Sequence, residues 1–454
     1  MEEETLRLQF GSAATTIGTQ WLALEGANGV VKKPQVLAFE AKGRVRRQVG
    51  AIPNRQEDPS TWTAGVQVYD QSETASTSSS SDGLWDWARL EERHLVEVDE
   101  FRPHLPLHNF YEGRAEANGG SIGNATLEAA EDRVRTVLEA CDQLRLVQTL
   151  VDMDSSWGGL AYEVMTYVAE ECPGAVVMVV GNDWSYPMAS DDAAFRVDPS
   201  VRDRTKVEAR KRVNVASSVA LLSEVAHLFL PVAMAAPTSR LRFDRSSCAE
   251  VSGVVATALE LALSVHRSRS REMAGGFPSN MKVAALSASF PHTSDPTTLL
   301  RYVSDCDREV GGSSSDPLQH FSLLPAVQHE DRRNKTHYRR LHLRGPFANF
   351  ASLRSVVENF APSPRDVALQ WSEALPLVLP ATYRLQTLQN SSVDAISQLS
   401  WGSRAGDYLT AIAQRAAKSD KRTLFEFTRA GMSPDAPEEL AATLAAMGDA
   451  YFAQ

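Results

Sequence analysis

The stretch RVRTVLEACDQLRLVQTLVDMDSSWGGLAYEVMTYVAEECPGAVVMVVGNDW, residues 133–184, decides the fold. Val134, Val137, Leu138, Cys141 and Leu144 recur at helical spacing, which gives one apolar face over about three turns. Leu146 to Val151 is a short β-prone run that ends at Asp152-Met153-Asp154-Ser155-Ser156-Trp157-Gly158-Gly159. A second periodic set follows, Leu160, Val164, Tyr167, Val168 and Cys172, stopped by Pro173-Gly174. Ala175 to Val180 is apolar throughout, the mark of a strand buried on both faces. The order is helix, strand, glycine-containing loop, helix, strand. It predicts a βαβ unit of a parallel sheet, with the loop at the carboxyl end of the first strand, where such sheets bind ligands.

Upstream, Leu6, Leu8 and Phe10 alternate, so Thr5 to Phe10 reads as the first strand. Gly11 to Gly18 turns into a helix with Ile17, Trp21 and Leu24 facing the core. A strand, a glycine and a helix N-terminus make a candidate anion site, because free N–H groups and the helix dipole point outward there. Residues 71–82, QSETASTSSSSD, have the composition of a disordered surface loop. Downstream, 202–212 is basic and precedes a helical set at Val215, Val219, Leu222 and Val225. Pro231 makes Leu228–Val232 an edge strand or a strand end. Val251, Val254, Val255, Ala258, Leu259, Ala262 and Val265 predict a helix apolar nearly all round, buried between domains. Met281–Leu286 reads as a strand with Ser287–Pro291 as its exit, and short strands are expected near Phe321 and Leu341. The basic run 331–344 reads as a solvated strand and loop face. The tail 403–454 carries helical periodicity.

With 454 residues, 43% of them hydrophobic, the chain can bury a sizeable core in two or three domains. Its net charge of −11 argues against a nucleic-acid partner. Cys141, Cys172, Cys248 and Cys306 show no CxxC spacing and fit buried, reduced thiols. The acidic start Met1-Glu2-Glu3-Glu4 is the reverse of an Arg-rich transit peptide. The most apolar segment, Leu221–Pro237, holds Glu224 and His227 and falls short of the ~20 residues that a spanning helix needs. A soluble, cytosolic protein able to visit a membrane surface is expected.

Several segments carry a resemblance. Cys141-Asp142-Gln143-Leu144, Gln148 and a glycine-bearing loop before an amphipathic helix resemble the segment around the phosphate loop of tubulin. Asp154 to Ala161 is similar, more closely, to the Misato family of tubulin-like mitochondrial proteins. The opening, Leu6-x-Leu8-Gln9-Phe10-Gly11 with Gly18 and Trp21, resembles both. So do Leu84-Trp85-Asp86-Trp87, Phe101-Arg102-Pro103 and Tyr111-Glu112-Gly113 the Misato pattern, although aromatics packing an insertion onto the domain would look the same. Asp420-Lys421-Arg422, Ala430-Gly431-Met432 and Asp449-Ala450-Tyr451 are similar to the Misato C-terminus.

The resemblance implies an α/β fold. A tubulin-like, Rossmann-like parallel-sheet domain would span 1–245, with a disordered insertion at about 71–83. A core helix at 246–267, a smaller α/β domain at 268–380 and a helical C-terminal region at 381–454 would follow. It also implies two vestigial phosphate loops, Gly11, Ser12 and Gly18 in one, Asp154, Ser155, Ser156, Gly158 and Gly159 in the other. Phosphate-cradling loops need glycines so that successive N–H groups converge on the anion. Here only Gly158 falls on a tubulin-like glycine. Asp154 puts a carboxylate where phosphate would sit, and Trp157 fills the space. A magnesium ion on Asp152 or Asp154 would reverse the sign of that argument. The tubulin positions that hold guanine fall on Asp244 and Cys248, and no Gly-x-x-Asn-x-Asp loop follows the core helix.

The expected function is a pseudo-GTPase with no cofactor, acting in mitochondrial distribution, morphology and inheritance, with a link to tubulin and spindle assembly. The expected partners are proteins, tubulin or the cytosolic chaperonin among them, with peripheral association at the mitochondrial outer surface and a cytoplasmic pool. Two rivals stand beside it: an active GTP-binding switch or GTPase, and a lipid-surface protein using 202–212 or 331–344. Other chemistry finds no motif. GxGxxG and Gly-x-Ser-x-Gly are absent, and His104 and His108 flank Pro106 rather than sharing a helix face.

Overall fold

The structure, a computed structural model, describes residues 4–30, 34–42, 92–102, 107–183, 201–233, 238–239, 248–263, 280–291, 318–324, 336–345, 367–373, 376–379 and 392–453. The serine-rich 71–83 segment, Trp85, Trp87, His104, Asp244 and Cys306 lie outside these residues.

The first sheet has six parallel strands: β1 (Glu4–Phe10), β2 (Gln35–Ala41), β3 (Leu95–Val98), β4 (Leu144–Asp152), β5 (Val176–Asp183) and β6 (Leu228–Ala233). Their order is β3-β2-β1-β4-β5-β6. The chain builds outward from β1 in one direction, then returns to β1 and builds in the other. The strand order therefore reverses between β1 and β4, and a ligand crevice is expected outside the carboxyl ends of those two strands. Helices α1 (Ser12–Ala27), α2 (Asn124–Glu139), α3 (Trp157–Glu171) and α4 (Val201–Val225) connect the strands. Ile17, Trp21 and Leu24 of α1 are fully buried, as their spacing predicts. Pro231 lies in the last strand of the sheet. The outer edge of that strand is partly covered, since Phe229 N donates to Lys282 O at 2.8 Å and Ala284 N to Phe229 O at 3.0 Å.

The core helix α5 (Cys248–Leu263) packs on α1 and also meets the second sheet. That sheet contains β7 (Thr238–Ser239), β8 (Ala285–Pro291), β9 (Leu318–Ser322), β10 (Thr336–Arg344), β11 (Val367–Glu373) and β14 (Ala395–Gly402), in the order β11-β10-β14-β8-β9-β7. It is antiparallel except between β10 and β11. A separate small pair joins β12 (Leu377–Val378) to β13 (Ser392–Val393). Helices α6 (Ser403–Ala417), α7 (Lys421–Arg429) and α8 (Ala436–Asp449) close the chain. Tyr451 then pins its end: the hydroxyl accepts from Val283 N at 2.9 Å and donates to Val283 O.

Three expectations are corrected. The region 381–454 is helical only from Ser403, because Ala395–Gly402 is an inner strand of the second sheet; Ser397, Gln398 and Ser400 interrupt the apolar pattern that would have marked it. Ser287–Pro291 is not a strand exit but most of β8. The basic run on β10 is not solvated either. Arg339, Arg340 and Arg344 are buried, and Arg344 Nη1 lies 3.8 Å from Glu260 Oε1 of the core helix. Glu260 also accepts from Trp21 Nε1 at 2.8 Å, so one carboxylate ties α1 and α5 to the second sheet.

Inside the first sheet, Arg7 donates to both oxygens of Glu25, at 3.2 and 2.6 Å, and to Gln148 Oε1, while its guanidinium lies 3.7 Å from the Trp21 ring centroid. Both charged side chains are fully buried. Removing one partner of such a pair strands the other charge in a low dielectric, whereas removing both does not. Arg7→Ala should cost roughly 3–5 kcal/mol and Arg7→Met with Glu25→Leu much less. Urea unfolding of the wild type, both single variants and the double variant gives the coupling directly.

Candidate functional site

The two loops expected to hold phosphate meet at the switch point. Gly11 follows β1 with φ +94°, a left-handed conformation that suits glycine. A β-carbon there would fall 2.5 Å from Asp152 Oδ2 and 2.8 Å from Trp157 Cδ1. The space beside the glycine, where an anion would approach the start of α1, is thus occupied by side chains of the second loop.

Asp152 is the centre of this arrangement. It ends β4, and its carboxylate turns onto the N-terminus of α1, where Ala13 N donates to Oδ2 at 3.0 Å and Ala14 N to Oδ1 at 2.9 Å. These are helix-initial N–H groups, which lack partners inside the helix and which a phosphate would otherwise bind. It is Asp152, two residues before Asp154, whose carboxyl group meets the start of α1. Asp154 instead points to α4, where it pairs with Lys211 Nζ at 2.9 Å. Trp157 does fill space: it is 9% exposed and stacks on Phe101, with centroids 3.8 Å apart and planes 17° apart.

The hydroxyls of the second loop are committed as well. Ser155 Oγ donates to Asp152 O at 2.8 Å, and Ser156 Oγ to Leu107 O at 3.0 Å. In the first loop, Ser12 Oγ donates to Glu40 Oε2 at 3.2 Å. The glycines of α3 serve packing. A β-carbon on Gly158 would collide with Ser218 Oγ, and one on Gly159 with Phe110 O. Gly18 plays the same part in α1, against the side chain of Gln9.

Asn214 and Ser218 of α4, and their bonds to the loop 107–113, were not foreseen. Asn214 Oδ1 accepts from Phe110 N at 2.8 Å, and its Nδ2 donates to His108 O and Asp154 O, both at 2.9 Å. Ser218 Oγ donates to Met153 O at 2.9 Å. Their only signal in the sequence was a pair of polar residues at i, i+4 among the apolar residues of the second half of α4. The basic stretch that precedes them is also used internally: Lys206 and Arg210 hold Glu426 of α7 at 2.6 and 3.1 Å, and Lys211 holds Asp154.

Residues 127–267 match the family profile of the tubulin domain. The chain carries a tubulin domain. The match runs from within α2 past the end of α5, so it includes the Asp152–Gly159 loop, whereas the Gly11 half of the site is placed by the pairing of β1 with β4. No curated protein matches the chain closely enough to count as a relative.

The residues at the switch point of this tubulin domain do not fit a nucleoside triphosphate. The N–H groups of Ala13 and Ala14 at the start of α1 hold Asp152, Trp157 lies in the approach, and the loop hydroxyls are bonded to backbone or carboxylate. A magnesium ion fits no better. Both oxygens of Asp152 accept from backbone donors, Asp154 carries Lys211, and no cluster of three or more acidic, histidine or cysteine ligands occurs among the described residues.

Burial pushes the Asp152 carboxyl up from its ordinary 3.8 to about 8, and the neighbouring Asp154 charge adds to the shift; the two N–H bonds pull the other way. The folded chain therefore keeps a proton that the unfolded chain has lost between those values. Stability at this site should be greatest in acid and fall by up to about 1.4 kcal/mol per pH unit as pH rises towards 8. Denaturant unfolding of the wild type and Asp152→Asn across this range isolates the effect, because other titrations cancel in the difference. Equal slopes for the two proteins would contradict it. Trp157→Gly removes the ring and its stack on Phe101, and should lower stability by roughly 3–5 kcal/mol in the same assay.

Proposed function

We propose that this is a non-catalytic tubulin-like protein that acts in mitochondrial distribution, morphology and inheritance, with a link to tubulin and spindle assembly. The observation that carries the non-catalytic part is the Asp152 carboxylate on the N-terminus of α1, closed over by Trp157. The biological part rests on the similarity of Asp154–Ala161, of the chain's opening and of its C-terminal segments to the Misato family. Protein partners, tubulin or the cytosolic chaperonin, fit this reading, as does a cytoplasmic protein held peripherally at the mitochondrial outer surface. Among the described residues no helix is long and apolar enough to cross a membrane.

The alternative, a GTP-binding switch, requires Asp152 to leave the helix start and Trp157 to leave Phe101 before a phosphate can bind. Purified protein should carry no guanine nucleotide and show no GTP binding at micromolar concentration by calorimetry. Micromolar binding that is lost on Gly11→Val would establish the switch instead. Sedimentation at rising protein concentration should show no long filaments, with or without GTP. In cells, carbonate should extract any mitochondrial pool; a pool that resists carbonate rules out the peripheral assignment.

A further inference from the structure

Of the cations in the two basic runs, 202–212 and 331–344, Lys206 and Arg210 pair with Glu426, Lys211 pairs with Asp154, and Arg339, Arg340 and Arg344 are buried. Residues 415–429, RAAKSDKRTLFEFTR, hold five basic and two acidic residues in a chain whose net charge is −11. Both acids have partners within the fold, although Asp420 itself is exposed. Asp420 caps α7 by accepting from Thr423 N at 2.7 Å, and Glu426 holds Lys206 and Arg210. Those two bridges fix α7 against α4, while Thr423 and Phe427 bury its inner face.

The outer face is different in kind. Arg422, Phe425 and Arg429 recur at i, i+3 and i+7 and so form one stripe. Phe425 is 68% exposed, the most exposed large apolar residue among those described. Arg422 and Arg429 are exposed on the same stripe, and Arg415 and Lys418 are exposed at the end of α6. An aromatic ring left in water between guanidinium groups gains nothing from folding, since Phe427 two residues on already supplies the buried anchor. Val207, 42% exposed, follows Lys206 on the other side of the Lys206–Glu426 bridge.

We propose that this face of α7 docks on an anionic lipid bilayer. Phe425 enters the boundary between headgroups and acyl chains, and Arg422 and Arg429, with Arg415 and Lys418, bind lipid phosphates. A convex helix that projects one ring suits a deformable bilayer. A peptide would need a groove to enclose it, and the stripe stands on the outside of a nine-residue helix. Interfacial helices bind by this combination of buried apolar area and attraction between basic side chains and anionic headgroups. The proposal rests on the peripheral-membrane part of the reading above and supplies its contact surface.

The test is co-sedimentation of the full chain with vesicles of phosphatidylcholine alone and of phosphatidylcholine mixed with phosphatidylserine. Wild type should bind the mixed vesicles and not the neutral ones, and salt should weaken the binding. Phe425→Ser should weaken it, and Arg422→Glu with Arg429→Glu should reduce it by more than about tenfold. All three changed side chains are exposed, so thermal unfolding should stay near wild type and certify the fold. Three results overturn the proposal: no binding to mixed vesicles, undiminished binding by both variants, or a wild-type dimer that Phe425→Ser dissociates, which would give the face to a second copy. Capture of wild type on poly-glutamate without vesicle binding would give it to an acidic peptide, and likewise overturns the proposal. A protein that reaches mitochondria through a protein receptor would stay on isolated mitochondria yet ignore the vesicles, so failure here is distinct from failure of the mitochondrial reading.

Discussion

A helix that begins inside a protein presents N–H groups with no partner of their own, and something must accept from them. In nucleotide-binding α/β folds a phosphate does so. Here Asp152 does so, with one oxygen on Ala13 N and the other on Ala14 N. Much of the site follows from that contact. Because the carboxylate reaches across from β4, the two loops at the switch point close on each other, and Gly11 must adopt a positive φ that leaves room for Asp152 and Trp157. Trp157 can then cover the contact and stack on Phe101, and the first turn of α3 lies close to Ser218 of α4 at Gly158 and to the 107–113 loop at Gly159.

The same economy of polar contacts runs through the interior. Arg7, Glu25 and Gln148 lie between β1, α1 and β4, and Trp21, Glu260 and Arg344 lie between α1, α5 and β10. A single ring, Trp21, belongs to both groups, through its face to Arg7 and through its N–H to Glu260. Charged groups so placed contribute little net stability beyond what apolar residues would, but each becomes costly once its partner is removed. They act as registration marks that fix how α1, α5 and the two sheets sit on one another.

Much of this was legible in the sequence. The βαβ unit of 133–184, the opening strand and helix, the core helix and the final helices all have apolar patterns that folding keeps, because their apolar residues pack into the buried clusters of the fold. What was misread shares a physical cause, a partner far away in the chain. Arg339, Arg340 and Arg344 look like a solvated face until Glu260, some eighty residues earlier, is seen beside Arg344. Gln398 and the serines of β14 fall within the expected helical region 381–454 until the strand is seen between β10 and β8. Asp152 and Asp154 are both acids of one short loop, and only the end of β4 decides which turns to α1 and which meets Lys211. Asn214 joins α4 to Asp154, His108 and Phe110, a link between three segments that no local pattern announces.

A ligand moves a conformational equilibrium only as far as it binds one state better than the other. In nucleotide switches, loops are ordered by the terminal phosphate and released when it leaves. The corresponding loops here are ordered by an acid of the same chain, which is always present and needs no association step. A phosphate arriving from solution would have to displace a tethered carboxylate, unstack Trp157 from Phe101 and free the hydroxyls of Ser155 and Ser156. Each step opposes binding, and none returns a contact that the protein lacks. In this arrangement the loops are held by contacts that the chain makes with itself, the Asp152 bonds to the start of α1, the Trp157 stack on Phe101 and the bonds of the Ser155 and Ser156 hydroxyls.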